Sequence, residues 1–261
     1  MSLIETTLFQ TIDKVQNAIQ LIRDMEPAAI NMNDIGYHVA FSGGKDSIVV
    51  YDLIKKAGVK HEVQYNLTTV DPPELVQYIK RLYPEVRISL PELSMWQLIV
   101  KKRMPPTRMV RYCCSELKER AGQDMMVATG IRAAESTRRA KRKSVEACLK
   151  GHKMYLNPII SWSDEDVWEY IRENNLEYCK LYDEGFKRIG CVLCPMDRHR
   201  ADYMRWPEIK RAYIRAFQKM IEIRHKDGLK NNWTSGQDVF DWWIGQDKRT
   251  KSEPDQEFMF D

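Results

Sequence analysis

No stretch of this 261-residue chain stays apolar for long. The opening residues, MSLIETTLFQTIDKVQNAIQLIRDM, carry acids early and lack a continuous apolar segment, so they do not read as a secretory signal. No later run approaches the roughly 20 residues that a membrane helix needs. A cytoplasmic protein with no membrane partner is the expectation. A dominant charge is also missing. Lys and Arg number 41 against 37 Asp and Glu, a formal net charge of +4. That balance does not by itself argue for nucleic acid or membrane, so any basic function must come from local clustering. Cysteine is sparse, with six residues. In a chain this long they do not suggest a secreted disulfide framework and fit metal, redox chemistry or buried packing better. Internal repeats and low-complexity linkers are absent too.

What is present is an alternation of strands and helices. Residues 3 to 25 read as an amphipathic helix, with Leu8, Ile12, Val15, Ile19 and Ile22 recurring at three and four, and Pro27 and Asn31 to Gly36 breaking it. Residues 37 to 41 read as a buried strand, 46 to 57 as a helix ended by Gly58, and HEVQYNL (61 to 67) as a strand. A helix from Pro73 to Leu82, the strand VRISL and the helix SMWQLIVKK follow. MMVATG (125 to 130) and YLNPII (155 to 160) supply further strands, and from Asp164 onward the pattern is helical. The fold class expected is α/β, a doubly wound parallel sheet with a helical C-terminal portion. The expected division is an N-terminal helix (1–35), an α/β domain (36–198) and a helical extension (199–261). In that extension VFDWW reads as a helix packing its aromatics on a core.

The stretch FSGGKDS (41 to 47) falls between the first buried strand and the helix after it. In an open α/β sheet, ligands bind at the carboxyl ends of strands. A glycine-rich turn there, followed by a helix N-terminus, offers backbone N–H groups and a positive dipole end to an anion. Gly43 and Gly44 let the backbone approach closely, Ser42 and Ser47 offer hydroxyls, and Lys45 adds charge. Asp46 fits as a helix cap or through a bound Mg²⁺. The spacing is not that of a Walker A loop. An ordinary strand-to-helix turn with Ser and Asp caps is the alternative.

Two further segments carry chemistry. RYCCSELKER (111 to 120) contains adjacent cysteines and GCVLCP (190 to 195) a Cys-x-x-Cys. Two local thiol pairs form a metal-site pattern: Cys113, Cys114, Cys191 and Cys194 could ligate a [4Fe–4S] cluster, or zinc, or be buried free thiols. Cys148 and Cys179 read as structural. TGIRAAESTRRAKRK (129 to 143) is densely basic after a strand end. Arginine suits bidentate contact to phosphate or sulfate, which favours Arg132 and Arg138, whereas Lys141 to Lys143 are as readily a solvated surface.

SGGKDS resembles the pyrophosphate loop of the adenine-nucleotide alpha-hydrolase superfamily, whose members cleave ATP between the α and β phosphates. With PTRMVRYCCSELK, TGIRAAESTRR, NPIISWSDEDVWEYIRENNLEY and LYDEGFKRIGCVLCP in the same order, the chain resembles the phosphoadenosine phosphosulfate (PAPS) reductase family over about residues 35 to 200. The resemblance implies that Ser42, Gly43, Gly44, Lys45, Asp46, Ser47, Gly130, Arg132 and Arg138 bind the nucleotide. Lys45, Asp46, Arg132 and Lys118 would act in catalysis, and the four cysteines would hold the cluster as in the adenylyl-sulfate (APS) branch. TTVDPPE (68 to 74) resembles the family's segment near the adenosine but departs from its usual Asp-Thr.

Two departures bear on the reaction. Sulfonucleotide reductases carry a nucleophilic cysteine in a C-terminal Glu-Cys-Gly motif, and within these 261 residues none follows Cys194. The reductases usually have a degenerate pyrophosphate loop, and this one is intact. Both lead to the expectation of an ATP pyrophosphatase that uses ATP with Mg²⁺ to adenylate an acceptor in sulfur metabolism or transfer. DndC-like sulfur-modification proteins fit that description, so nucleic acid is one candidate acceptor. An APS or PAPS reductase and a non-catalytic nucleotide-binding regulator are the rivals. A homo-oligomer is left open.

Overall fold

The computed structural model describes residues 3–6, 11–148, 152–196, 204–230 and 232–245. In chain order the elements are β1 (Ile4–Thr6), β2 (Thr11–Asp13), α1 (Lys14–Met32), β3 (Tyr37–Phe41), α2 (Lys45–Ala57), β4 (His61–Asn66), α3 (Pro73–Leu82), β5 (Arg87–Ser89), α4 (Met95–Lys102), β6 (Met126–Ala128), β7 (Val145–Cys148), β8 (Lys153–Leu156), α5 (Asp164–Glu173), α6 (Pro207–Lys226) and α7 (Gly236–Trp243). The described residues cluster into two compact units. The first draws on the described residues within Met1–Leu67, Pro73–Leu90 and Arg120–Gly190, the second on those within Thr68–Pro72, Pro91–Glu119 and Cys191–Asp261.

The first unit is built on a six-stranded sheet in the order β5-β4-β3-β6-β8-β7. Every neighbouring pair is parallel except β7 with β8. This is the α/β class expected. The antiparallel β7 was not foreseen, because its four residues VEAC follow the basic tract 129–143 and are too few to show a strand's alternation. The chain winds outward from β3 to β4 to β5, then returns to lay β6 on the other side of β3. The connections after β3 and β6 therefore diverge, and the carboxyl ends of these two strands form a topological switch point. The strands there are dry: Val39, Phe41, Met126 and Ala128 are all buried. Helix α2 is buried almost all round through Ile48, Val49, Val50, Leu53 and Ile54, as befits a central helix.

The N-terminal reading is corrected. Residues expected to open a helix at 3 instead form the antiparallel pair β1–β2, and Leu8 lies outside the described residues. The helix starts at Lys14 because Asp13 caps it, its carboxylate accepting the N–H groups of Val15 and Gln16 at 2.9 Å. It then runs through Pro27 to Met32. An interior proline costs about 3 kcal/mol, and burial of Ile22 and Ala29 on either side of it offsets that cost.

The second unit draws on segments far apart in the chain. Helix α4 belongs with the C-terminal helices: Trp96 meets Tyr213 edge-on at 4.8 Å, and Tyr213 packs on Trp243 at 4.7 Å. The α7 aromatics Phe240 and Trp243 are buried, and the Trp243 indole donates to the Pro106 carbonyl at 2.6 Å. Core packing, as read from VFDWW, is what these two rings do.

Candidate functional site

At the switch point the FSGGKDS loop leaves β3 and enters α2. Gly43 has φ +70°, and a Cβ there would lie 2.7–2.8 Å from side-chain carbons of Ile79 and Leu75. Glycine is needed both for the left-handed backbone and for the close approach of α3. The two serines brace the loop. Ser47 Oγ donates to the Gly44 carbonyl at 2.8 Å, accepts the Ser42 N–H at 3.2 Å and lies 3.1 Å from Ser42 Oγ. Gly44, not Asp46, is the residue that caps α2, and no side chain caps it. This corrects the capping role read for Asp46. The first amide of the helix, that of Lys45, donates instead to the Tyr182 hydroxyl at 3.0 Å.

The Asp46 carboxylate is taken by a residue from the second loop of the switch point. Arg132, just after β6, donates from Nε to Asp46 Oδ1 at 2.6 Å and from Nη2 to Asp164 Oδ1 at 2.8 Å. Lys45 Nζ lies 2.9 Å from the same Asp164 oxygen and 3.5 Å from Asp46 Oδ2. Two cations and two carboxylates thus close a ring. The cationic side chains are 6% and 4% exposed, so each needs a partner. Partial burial opposes ionisation of Asp164, but Lys45 and Arg132 outweigh it and hold the carboxyl below the usual carboxylate range. Burial raises the Tyr182 hydroxyl well above its ordinary value and keeps it protonated. Gly130 allows the ring to close, since a Cβ there would come within 2.8 Å of the Asp46 backbone carbon.

Of the residues expected at the nucleotide, the structure thus gathers Ser42, Gly43, Gly44, Lys45, Asp46, Ser47, Gly130 and Arg132. Arg138 is not among them: it is exposed on a short turn and makes none of these contacts. Nearby basic residues are spent locally, Arg139 on Glu135 and Arg142 on Glu146. Sequence reasoning quoted SWSDED and LYDEG but gave Asp164 and Tyr182 no role. The capping pattern Ser163-x-x-Asp166 was the available signal, because it fixes Asp164 as the first residue of α5.

The cysteines lie in the second unit. Cys114–Lys118 form a single π-type turn, a rare geometry that often marks functional sites. All four thiols interact: Cys113 senses Cys114, Cys191 and Cys194. A hydrogen bond to Cys114, then burial, raise the Cys113 thiol. The same bond from Cys113, joined by Arg111, lowers Cys114. Arg111 Nη2 donates to Cys114 Sγ at 3.2 Å, while its Nε is buried with no acceptor among the described residues. Burial raises Cys191, opposed by Lys118, and its thiol donates to Thr68 Oγ1 at 3.4 Å. Lys118 is itself raised, chiefly by Cys191 and further by Asp71. Among the groups that act on Lys118 are the thiols of Cys191 and Cys194 and the carboxylate of Asp71, all in the second unit. Among the described residues, no three His, Cys, Asp or Glu side chains are gathered to hold a single metal ion. Thr68, Asp71 and Arg111 were given no part from sequence, and the last sits within the quoted motif. Cys179 is buried, as its structural reading required.

These elements define an α/β protein with a glycine-rich loop at the sheet's switch point. A family model described as phosphoadenosine phosphosulfate reductase domain matches residues 36–197, and the chain belongs to that family. An uncharacterized protein of Methanocaldococcus jannaschii is 30% identical over 234 residues, which cover 83% of this chain and 54% of the relative. The chain thus spans about half the length of that relative. The adenosine 5'-phosphosulfate reductase of Oceanobacillus iheyensis is 29% identical over 177 residues, 62% of this chain and 71% of the reductase. The crystal structure of Candida glabrata FMN adenylyltransferase with FAD and inorganic pyrophosphate shares the fold, with TM-score 0.50, 15% identity and coverage of 92% and 78%. No helix among the described residues is long and apolar enough to cross a membrane.

Proposed function

We propose that this protein is an ATP pyrophosphatase of the PAPS reductase family, which adenylates an acceptor and releases pyrophosphate. The observation that carries the reading is the complete SGGKDS loop with Lys45 and Arg132 converging beside it at the switch point. The acceptor oxyanion attacks the α-phosphorus, the bond to the β-phosphate oxygen breaks, and pyrophosphate leaves with the electron pair. Lys45, Arg132 and the first amides of α2 stabilise that charge, so catalysis is mostly positioning and electrostatics. Mg²⁺ enters with ATP, and Asp46 is the loop's carboxylate suited to it. The acceptor belongs to sulfur metabolism or sulfur transfer, with nucleic acid one candidate. Arg138 and Lys118 retain the roles the resemblance implies, as binding and charge-stabilising groups.

Cys113, Cys114, Cys191 and Cys194 fit a [4Fe–4S] cluster. The Cys113 thiol is influenced by Cys114, Cys191 and Cys194, and Arg111 brings a buried N–H without an acceptor among the described residues, suited to an anionic sulfur-rich group. When bound, the cluster supplies a redox-active or structural centre, and Arg111 and Lys118 offset its negative charge. Anaerobic preparation with iron and acid-labile sulfide assays tests this: four irons and four sulfides per chain are expected, and one zinc without sulfide would replace the cluster by a zinc site.

A second reading, favoured by the relative named adenosine 5'-phosphosulfate reductase, is a sulfonucleotide reductase. Side-by-side equilibrium binding of ATP–Mg²⁺, APS and PAPS separates the two. Preference for ATP supports the pyrophosphatase, and preference for a sulfated nucleotide supports the reductase.

A further inference from the structure

The anion-binding elements of the first unit are already engaged by oxygens of the chain itself. Asp164 Oδ1 lies 2.9 Å from Lys45 Nζ and 2.8 Å from Arg132 Nη2, so one oxygen bridges both cations. The Tyr182 hydroxyl takes the first amide of α2 at 3.0 Å. A phosphate oxygen would make the same two kinds of contact, one to a Lys–Arg pair and one to a helix N-terminus.

Burial separates the fixed partners from the movable one. The Lys45 and Arg132 side chains are 6% and 4% exposed, whereas Asp164 is 53% exposed. Helix α5 does not depend on Asp164 for its start. Ser163 Oγ accepts the Asp166 N–H at 3.1 Å, and the Asp166 carboxylate accepts the Ser163 N–H at 2.7 Å. Asp164 can therefore turn away without uncapping the helix. Asp46 cannot do so as easily, because its backbone is pressed under Gly130.

We infer that Asp164 and Tyr182 are resident placeholders for phosphate oxygens and set both the affinity and the phosphate-number preference of the loop. While no ligand is bound, they keep two buried cations and a helix amide satisfied. An incoming ligand must displace a carboxylate from two cations. Pyrophosphate and a nucleoside triphosphate carry enough charge to do so, and a monophosphate competes poorly. The inference rests on the nucleotide reading of the loop and deepens it by assigning the residues that select for polyphosphate. Both act as positioning residues on Lys45 and Arg132, and neither is a catalytic residue.

The test is calorimetric titration of inorganic pyrophosphate, ATP–Mg²⁺ and AMP into the full chain at one pH and salt concentration. The proteins are wild type, Asp164→Asn, Tyr182→Phe and, as a charge control, Glu165→Gln, which removes the same charge from the exposed neighbouring residue. Asp164→Asn should tighten pyrophosphate and ATP by roughly tenfold, as expected when a self-occupied state is removed. It should also narrow the gap between ATP and AMP. Tyr182→Phe should tighten pyrophosphate by about threefold, the worth of one hydrogen bond, and Glu165→Gln should change each ligand by less than about twofold. Damage to the fold would weaken binding, so a gain is not a structural side effect. Unchanged or weaker binding in Asp164→Asn, or an equal gain in Glu165→Gln, overturns the inference. If ATP binds wild type and Asp164→Asn alike, the placeholder fails and the ATP reading stands. If pyrophosphate tightens while neither protein binds ATP, the placeholder stands and the ATP reading fails. If no ligand binds any of the proteins, both fail.

Discussion

The two candidate sites balance charge in opposite ways. In the first unit the two buried cations at the loop have carboxylates: Lys45 and Arg132 meet Asp46 and Asp164, and the helix amide meets Tyr182. In the second, donors sit among thiols with capacity left over. Arg111 leaves a buried Nε without an acceptor among the described residues, and the adjacent thiols of Cys113 and Cys114 shift each other in opposite directions through the hydrogen bond between them. The first arrangement is electrostatically complete on its own and must be opened by a ligand. The second gains by adding one. A site built on the protein's own ion pairs is expected to be stable and weakly bound in the absence of a highly charged ligand. A site built on adjacent thiols depends on what it holds.

The sharpest way to break this contrast is to remove one group from each side. Lys45→Ala should weaken ATP binding by about 100-fold, the scale of losing a charged contact in a water-poor site, with iron and sulfide content unchanged. Cys114→Ser should do the reverse, losing most of the metal while ATP affinity stays within about threefold. Paired calorimetry and metal analysis check both, and a crossed effect would break the contrast. Next in size, Arg111→Gln should lower metal retention by about tenfold, in line with loss of a residue that supports the ligands, read by chelator challenge.

Backbone changes come next. Gly130→Ala forces a Cβ against the Asp46 backbone, and Gly43→Ala places one on a φ of +70° against Leu75 and Ile79. Each should cost about 1–3 kcal/mol in urea unfolding. Gly130→Ala should also weaken ATP more, because it displaces a carboxylate of the ring rather than two flexible side chains. The smallest effect expected is on the acid side. The Asp164 carboxyl is held below its usual value in the folded protein, so its contribution is fully present above about pH 4. It is lost as pH falls through the lowered value. Wild type should therefore lose more stability than Asp164→Asn as pH falls below about 4, and the difference should be flat above that point. Urea midpoints across pH measure it.

Much of the fold could be read from the chain because its signals are local. Pro73–Leu82 matched the expected helix end to end, since proline at a first turn and an apolar repeat fix both ends within ten residues. The strand His61–Asn66 and the αL stop at Gly58 followed from equally local chemistry. The failures share a cause. Pro27 reads as a break only if packing is ignored, and the membership of α4 with α6 and α7 rests on ring contacts between residues far apart in the chain. The site divides in the same way. SGGKDS and the cysteine pairs are contiguous and announce themselves. That Asp164 and Tyr182 meet Lys45, or that Thr68 and Asp71 join Cys191 and Lys118, depends on topology that no short window contains. Arg138 stands outside the ring for the complementary reason, because nearness to Arg132 in sequence does not carry a side chain into its contacts.

The central claim is that this loop serves ATP and not a sulfated nucleotide. It is tested most directly by incubating anaerobically prepared protein with ATP–Mg²⁺ or with APS and a thiol reductant, and by measuring pyrophosphate and sulfite in both. Pyrophosphate from ATP, lost in Lys45→Ala, with no sulfite from APS, is the result predicted. Sulfite from APS with no pyrophosphate from ATP would contradict it.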